Sequence, residues 1–189
     1  MSGGAFPQRY SGVITAGHCL GIGGGPFQER WRQGRHALGV YAQKEFRTGA
    51  KADAGTISTS RVFTKVRDVS NKVFVAPGAG TINITSVQSR DDDRVGDVVC
   101  MSGAFSGYQC GVLTKLHFSR RYRSGPVIVD LRAAHFDQPC QLGDSGAPMF
   151  RGDGLALGIL SARGVDTRTC IYSHIDNVQR QLRISITTR

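Results

Sequence analysis

The chain has 189 residues, enough for one large or two small domains and for a core that needs neither a metal nor many crosslinks. Its 25 glycines and short aliphatic runs suit an all-β protein with tight turns better than a helical one. No segment is apolar for long enough to span a membrane, and Met1–Gly12 lacks the basic start and apolar stretch of a signal peptide. A net charge of +10 would favour nucleic acid, an anionic surface or acidic substrates, but it is spread along the chain, so a dedicated nucleic-acid site is not expected.

In chain order, the run 12–16 predicts a strand ending in a turn. The glycine-rich loop 21–25 follows; no helical pattern comes after it, so it is not a dinucleotide fingerprint. Short alternating segments at 37–43, 55–59, 62–66, 72–75 and 81–87 predict an antiparallel barrel. Pro77 and two glycines within 76–80, with the polar run 89–94, bracket a junction between an N-terminal half, 1–85, and a C-terminal half, 86–189. Asp91, Asp92 and Asp93 read as a solvated loop rather than a calcium site, which needs several more placed oxygens. Strands are predicted again at 97–101, 110–118, 126–131, 148–150, 156–161 and 169–172. Between them, Arg120, Arg121 and Arg123 around Tyr122 form a basic knot read as a solvated loop. Only 174–182 has a helical period, with Ile175, Val178 and Leu182 recurring at spacings of three and four.

Five cysteines, Cys19, Cys100, Cys110, Cys140 and Cys170, include no Cys-x-x-Cys spacing, which argues against zinc. Cys100 with Cys110 and Cys140 with Cys170 are local pairs that leave Cys19 odd, though the sequence permits other pairings. Disulfides would imply an oxidising, extracellular setting.

Three short motifs carry chemistry. In Gly143-Asp144-Ser145-Gly146-Ala147-Pro148, glycines flank a serine. They allow a tight turn and close approach of a substrate carbonyl, while the N–H groups of Gly143 and Ser145 can hold an oxyanion. Asp144 reads as a structural anchor pairing with a buried cation such as a free N-terminus. A serine nucleophile needs a base near neutral pH, and His18, in Thr15-Ala16-Gly17-His18-Cys19 just past a strand end, is the candidate. His36, His117, His135 and His174 lack comparable surroundings, and His135 is a candidate for the substrate pocket. Asp53, between Ala52 and Ala54 at the mouth of a predicted strand, is small-flanked enough to be buried against that histidine and fix its tautomer. The order His, Asp, Ser is one of several that build the same geometry, and here it puts the site in a cleft between the two halves.

These motifs together resemble the chymotrypsin family, in particular its bacterial branch of alpha-lytic protease and the streptogrisins. The resemblance rests on 15–19, on Asp53-Ala-Gly-Thr-Ile, on the cysteine hairpin 99–112, on Gly143-Asp-Ser-Gly and on Cys170-Ile-Tyr, and runs from about residue 2 to 185. It implies two six-stranded antiparallel β-barrels with a short C-terminal helix, and a serine endopeptidase working through an acyl-enzyme without a cofactor. A catalytically impaired binding module of protease descent is the alternative. It further implies Cys100–Cys110 and Cys140–Cys170 bridges, a polypeptide substrate, a monomer, and secretion behind a pro-segment that this chain does not display. Ser161, Ala162 and Arg163 fall where the family pairs its backbone with an extended substrate.

Three departures follow from the comparison of motifs. The family pairs the cysteine after its histidine with one upstream; here none precedes Cys19, so a free thiol and a trimmed or reassigned start are expected. Ala147 stands in place of a glycine. Ala162 and Arg163 replace two pocket glycines, and the floor segment 139–142 has no carboxylate, so a Lys or Arg preference is not expected and small, apolar or acidic side chains remain open.

Overall fold

The computed structural model describes residues 11–20, 26–31, 34–59, 69–76, 80–123 and 125–188, with backbone alone for 26–31, 34–38 and 76. Among these residues lie thirteen strands and one α-helix: β1 Gly12–Thr15, β2 Pro26–Trp31, β3 Gly34–Glu45, β4 Ala54–Ser58, β5 Lys72–Ala76, β6 Gly80–Asn83, β7 Ser86–Val87, β8 Val98–Gly103, β9 Gly107–Arg121, β10 Val127–Phe136, β11 Pro148–Phe150, β12 Leu155–Arg163, β13 Thr169–His174 and α1 Ile175–Leu182. The protein is all-β with one terminal helix, as the glycine-rich, alternating sequence implies.

Six of the strands come early in the chain: β1-β4-β3-β2 form one antiparallel sheet, and β5 and β6 form a hairpin. β2 has no counterpart among the predicted segments, because Pro26 and two charges break its alternation; it lies at the sheet edge, where a first-position proline costs no ladder hydrogen bond. The expected strand at 62–66 lies outside the described residues. The expected strand 81–87 is instead two elements: after β6 the chain leaves its hairpin at Ile84, and β7 pairs in parallel with β12. Strands β8, β9, β10, β13, β12 and β11 close into a six-stranded barrel, since β11 pairs with both β12 and β8.

Helix α1 has the predicted apolar stripe: Ile175, Val178 and Leu182 are buried. His174 caps its start, its Nδ1 accepting from the Asp176 N–H at 3.1 Å, and Arg183 ends it in the left-handed conformation. The stripe packs into a cluster with Ala52, Ala54, Val75, Ile84, Phe150 and Ile159, so the last element of the chain clamps the segment around Asp53 onto the barrel.

The aspartate run corrects the sequence reading at one position. Asp91 and Asp92 are exposed, whereas Asp93 is buried. Its carboxylate accepts from Arg132 Nε at 2.7 Å and from Gln88 Nε2 at 2.7 Å, and Arg132 is itself fully buried. Arg132 also donates to Asp130 at 3.0 Å. Burial works against the Asp93 charge, but His174, with Nε2 3.5 Å away, and the bond from Arg132 outweigh it and hold the carboxyl below its ordinary range. Removing one member leaves a buried charge without its partner. Asp93→Ala should therefore cost about 3–5 kcal/mol in urea unfolding at neutral pH, and an effect within the noise of a surface substitution would contradict this role.

Candidate active site

β1 ends at Thr15, and a single 3-10 turn, Gly17–Cys19, carries His18 out of the sheet. The neighbouring antiparallel strand β4 begins at Ala54, so the turn after one strand and the entry to the next lie side by side, with Thr15 opposite Gly55. This adjacency brings Asp53 to His18. One carboxylate oxygen accepts the His18 backbone N–H at 2.8 Å; the other lies 2.6 Å from His18 Nδ1. Asp53 is fully buried between Ala52 and Ala54, both at zero exposure, as its small neighbours predict. Its own N–H donates to Ser173 Oγ at 2.8 Å, and its carboxylate accepts from Ser161 Oγ at 2.5 Å.

The hydrogen bond to Asp53, then that with the Cys19 thiol, raises His18 from its ordinary 6.5 to about 10 against the opposing effect of burial. Phe46 and Tyr122 flank the imidazole with ring centroids 5.8 and 6.2 Å away, and meet each other edge-on at 5.2 Å.

Ser145 comes from the loop between β10 and β11. The Cys19 thiol lies 3.9 Å from the Ser145 carbonyl, and the Gly146 N–H donates to the Leu160 carbonyl at 2.8 Å. The serine segment is thus held against both the histidine turn and β12. Among the described residues no hydrogen bond joins Ser145 Oγ to His18; in unliganded sites such bonds are commonly long and tighten when substrate binds. The two glycines beside Ser145 are required by space and conformation. Gly143 has φ +100° and sits against the Phe105 ring; Gly146 has φ +91°, and a Cβ there would lie 2.3 Å from Thr15 Oγ1.

Asp144 anchors the loop, and the N-terminus expected as its partner lies outside the described residues. No cation pairs with it among the described residues. Its carboxylate instead accepts the N–H groups of Phe105 at 2.8 Å, Ser106 at 3.1 Å and Gln141 at 2.8 Å, and the Ser106 hydroxyl. Burial disfavours its charge, and these donors outweigh that and keep the carboxyl below its ordinary range. Residues 105 and 106 belong to the turn joining β8 to β9, which the Cys100–Cys110 disulfide closes across directly paired positions. The second bridge is Cys140–Cys170, and Cys19 is free and exposed.

The remaining candidates divide. Ser161 is buried, and its side chain, not only its backbone, joins the site through Asp53. The physical device is a bulge: Leu160 pairs with Tyr172 and Ala162 with Ile171, which leaves Ser161 as the extra residue. Ala162, like Tyr122 and Phe46, packs against the cluster of Ala50, Ile128, Leu131, Ala133 and Ile171, and Arg163 is exposed. His135 lies exposed on β10, 3.4 Å from Asp166. Ala147 is buried in the barrel core, so its methyl is accommodated. Sequence reasoning missed Phe46, Tyr122, Ser106 and Ser173; the one signal for Tyr122 was an aromatic residue set among three arginines.

Comparison with known proteins agrees with this architecture. A model of the trypsin family matches residues 1–182. Serine protease 1 of Rarobacter faecitabidus is 25% identical over 186 residues, 97% of this chain and 33% of the relative, so the chain spans about a third of that protein's length. Nocardiopsis protease shares the fold with a TM-score of 0.73 at 22% identity, covering 95% of this chain and 86% of that one. A glutamic acid specific serine protease described as using a histidine triad in substrate binding reaches 0.74 at 22% identity, covering 92% and 84%. The architecture is that of the chymotrypsin-like serine proteases of bacteria. The chain belongs to the trypsin family.

The raised His18 value generates a direct test. Followed by NMR, the His18 ring should lose its proton near pH 10, and Cys19→Ala should bring the titration to lower pH by removing one of the groups that stabilise the charged ring. Titration at the ordinary value in the unsubstituted protein would contradict the Asp53 and Cys19 contacts.

Proposed function

We propose that this chain hydrolyses peptide bonds through an acyl-enzyme, with Ser145 as nucleophile, His18 as base and then acid, and Asp53 holding the imidazole. The observation that carries this reading is the buried Asp53 carboxylate, 2.6 Å from His18 Nδ1, beside a serine loop packed on the histidine turn. With Nδ1 engaged, Nε2 is the ring nitrogen left to accept a proton. Ser145 Oγ adds to the scissile carbonyl as its proton passes to Nε2. The tetrahedral oxyanion is held by the Gly143 and Ser145 N–H groups. The C–N bond then breaks, and the imidazolium returns the proton to the leaving amine. Water repeats the sequence on the ester and frees the acid and Ser145. No metal or cofactor is needed for these steps.

Because the base must be unprotonated, a His18 value raised to about 10 moves the acid limb of kcat/KM to alkaline pH, and activity rises as the ring loses its proton. In this reading residues 1–85 supply His18 and Asp53, and 86–189 supply Ser145, as two domains of a secreted monomer that a pro-segment helps to fold. The substrate lies extended along 161–163, a stretch of β12 that has β13 on one side and no second strand among the described residues.

Ser145→Ala should lower kcat by on the order of 10⁶ with an unchanged fold, and a fluorophosphonate should label Ser145 in the unsubstituted protein. Full turnover by the variant, or no labelling of the folded protein, would overturn the assignment and favour a binding module. Arg163 is exposed and makes no ion pair among the described residues, and 139–142 holds no carboxylate. A mixed peptide library should therefore be cut least after Lys and Arg; dominant cleavage after either would overturn this specificity.

A further inference from the structure

The tip of the β9–β10 hairpin is only partly the solvated knot its sequence implies. Arg121 and Arg123 are exposed, but Tyr122 turns inward beside Phe46 and against the cluster of Ala50, Ile128, Leu131, Ala133 and Ile171. Its hydroxyl meets Ser161 Oγ, whose other contact is Asp53 Oδ2 at 2.5 Å. Counting protons fixes the direction of this chain. An ionised carboxylate only accepts, and a serine hydroxyl has one proton to give. Ser161 spends that proton on Asp53, so the proton between Tyr122 and Ser161 belongs to Tyr122. The sequence of donors is Tyr122 to Ser161 to Asp53, with His18 donating to Asp53 from the other side.

We infer that Tyr122 is a positioning residue for the Asp53–His18 pair: its hydroxyl polarises and orients Ser161 on the carboxylate, while its ring seats the imidazole. The inference rests on the triad reading above. Successive hydrogen bonds in a low-dielectric site strengthen one another, so a donor two bonds away still acts on the carboxylate. The Tyr122 ring centroid is 6.2 Å from that of His18, so one side chain touches both members of the pair, one through Ser161 and one directly. Burial, and then the charge of Asp53, push the Tyr122 phenol above its ordinary range, which keeps it a donor wherever the protease works. Arg120, 6.0 Å from the ring centroid, covers the Tyr122 ring.

Tyr122→Phe removes the donor and keeps the ring. Measured per active site by burst titration, so that any unfolded fraction drops out, kcat should fall about two- to tenfold with KM unchanged. Made in a Ser161→Ala background, the same substitution should have no further effect on kcat, because its route to Asp53 is already cut. An unchanged kcat in the first case, or equal losses in both backgrounds, would overturn the inference. Ser145→Ala, run in parallel, separates the two levels: loss of turnover there with a neutral Tyr122→Phe removes only the role of Tyr122, whereas retained turnover removes the triad itself.

Discussion

The site depends on satisfying one fully buried carboxylate, Asp53. A carboxylate taken out of water is costly unless donors meet its oxygens. Here one oxygen accepts the His18 N–H, and the other takes Ser161 Oγ and lies against His18 Nδ1. The donors come from the turn after β1 and from β12, and Ser173 at the end of β13 takes the Asp53 N–H. Helix α1 presses Ala52 and Ala54 into the core on either side. Satisfying the carboxylate therefore ties the first sheet to the barrel, and the same bonds fix the histidine.

The serine loop follows a parallel logic with a different anchor. Asp144 is also a buried carboxylate satisfied by several donors, which among the described residues are backbone N–H groups and one hydroxyl. They lie in a turn closed by the Cys100–Cys110 bridge, so the shape of the 143–146 loop is set by a hairpin of the same barrel. Ser145 stays partly exposed while its neighbours are locked, an arrangement suited to a group that must meet substrate.

Much of this was legible in the residues. The strands announced themselves by alternation, α1 by its three-and-four spacing, and His18, Asp53 and Ser145 by short motifs whose small neighbours turned out to make room for close packing. The two disulfides were implied by family resemblance and are present. What was hidden was long-range pairing between unlike segments. Nothing local distinguishes Asp93 from Asp91 and Asp92; only the fold brings Arg132 to it, 39 positions along the chain. The donors to Asp144 among the described residues come from the hairpin turn and Gln141, and no local pattern announces them. Tyr122 was concealed by its arginine neighbours: Arg121 and Arg123 are exposed, while Arg120 lies over the Tyr122 ring.

The bulge at Ser161 sets a limit on how β12 can change in length. A loop absorbs the gain or loss of a residue at its tip, but this strand already holds one residue more than its partner. Deleting one position would restore unbroken pairing between β12 and β13, and would also turn the hydroxyl away from Asp53. Regular sheet geometry and a working site are in conflict at this point. Insertions and deletions along the chain should therefore accumulate elsewhere, leaving the irregular count at Ser161 intact.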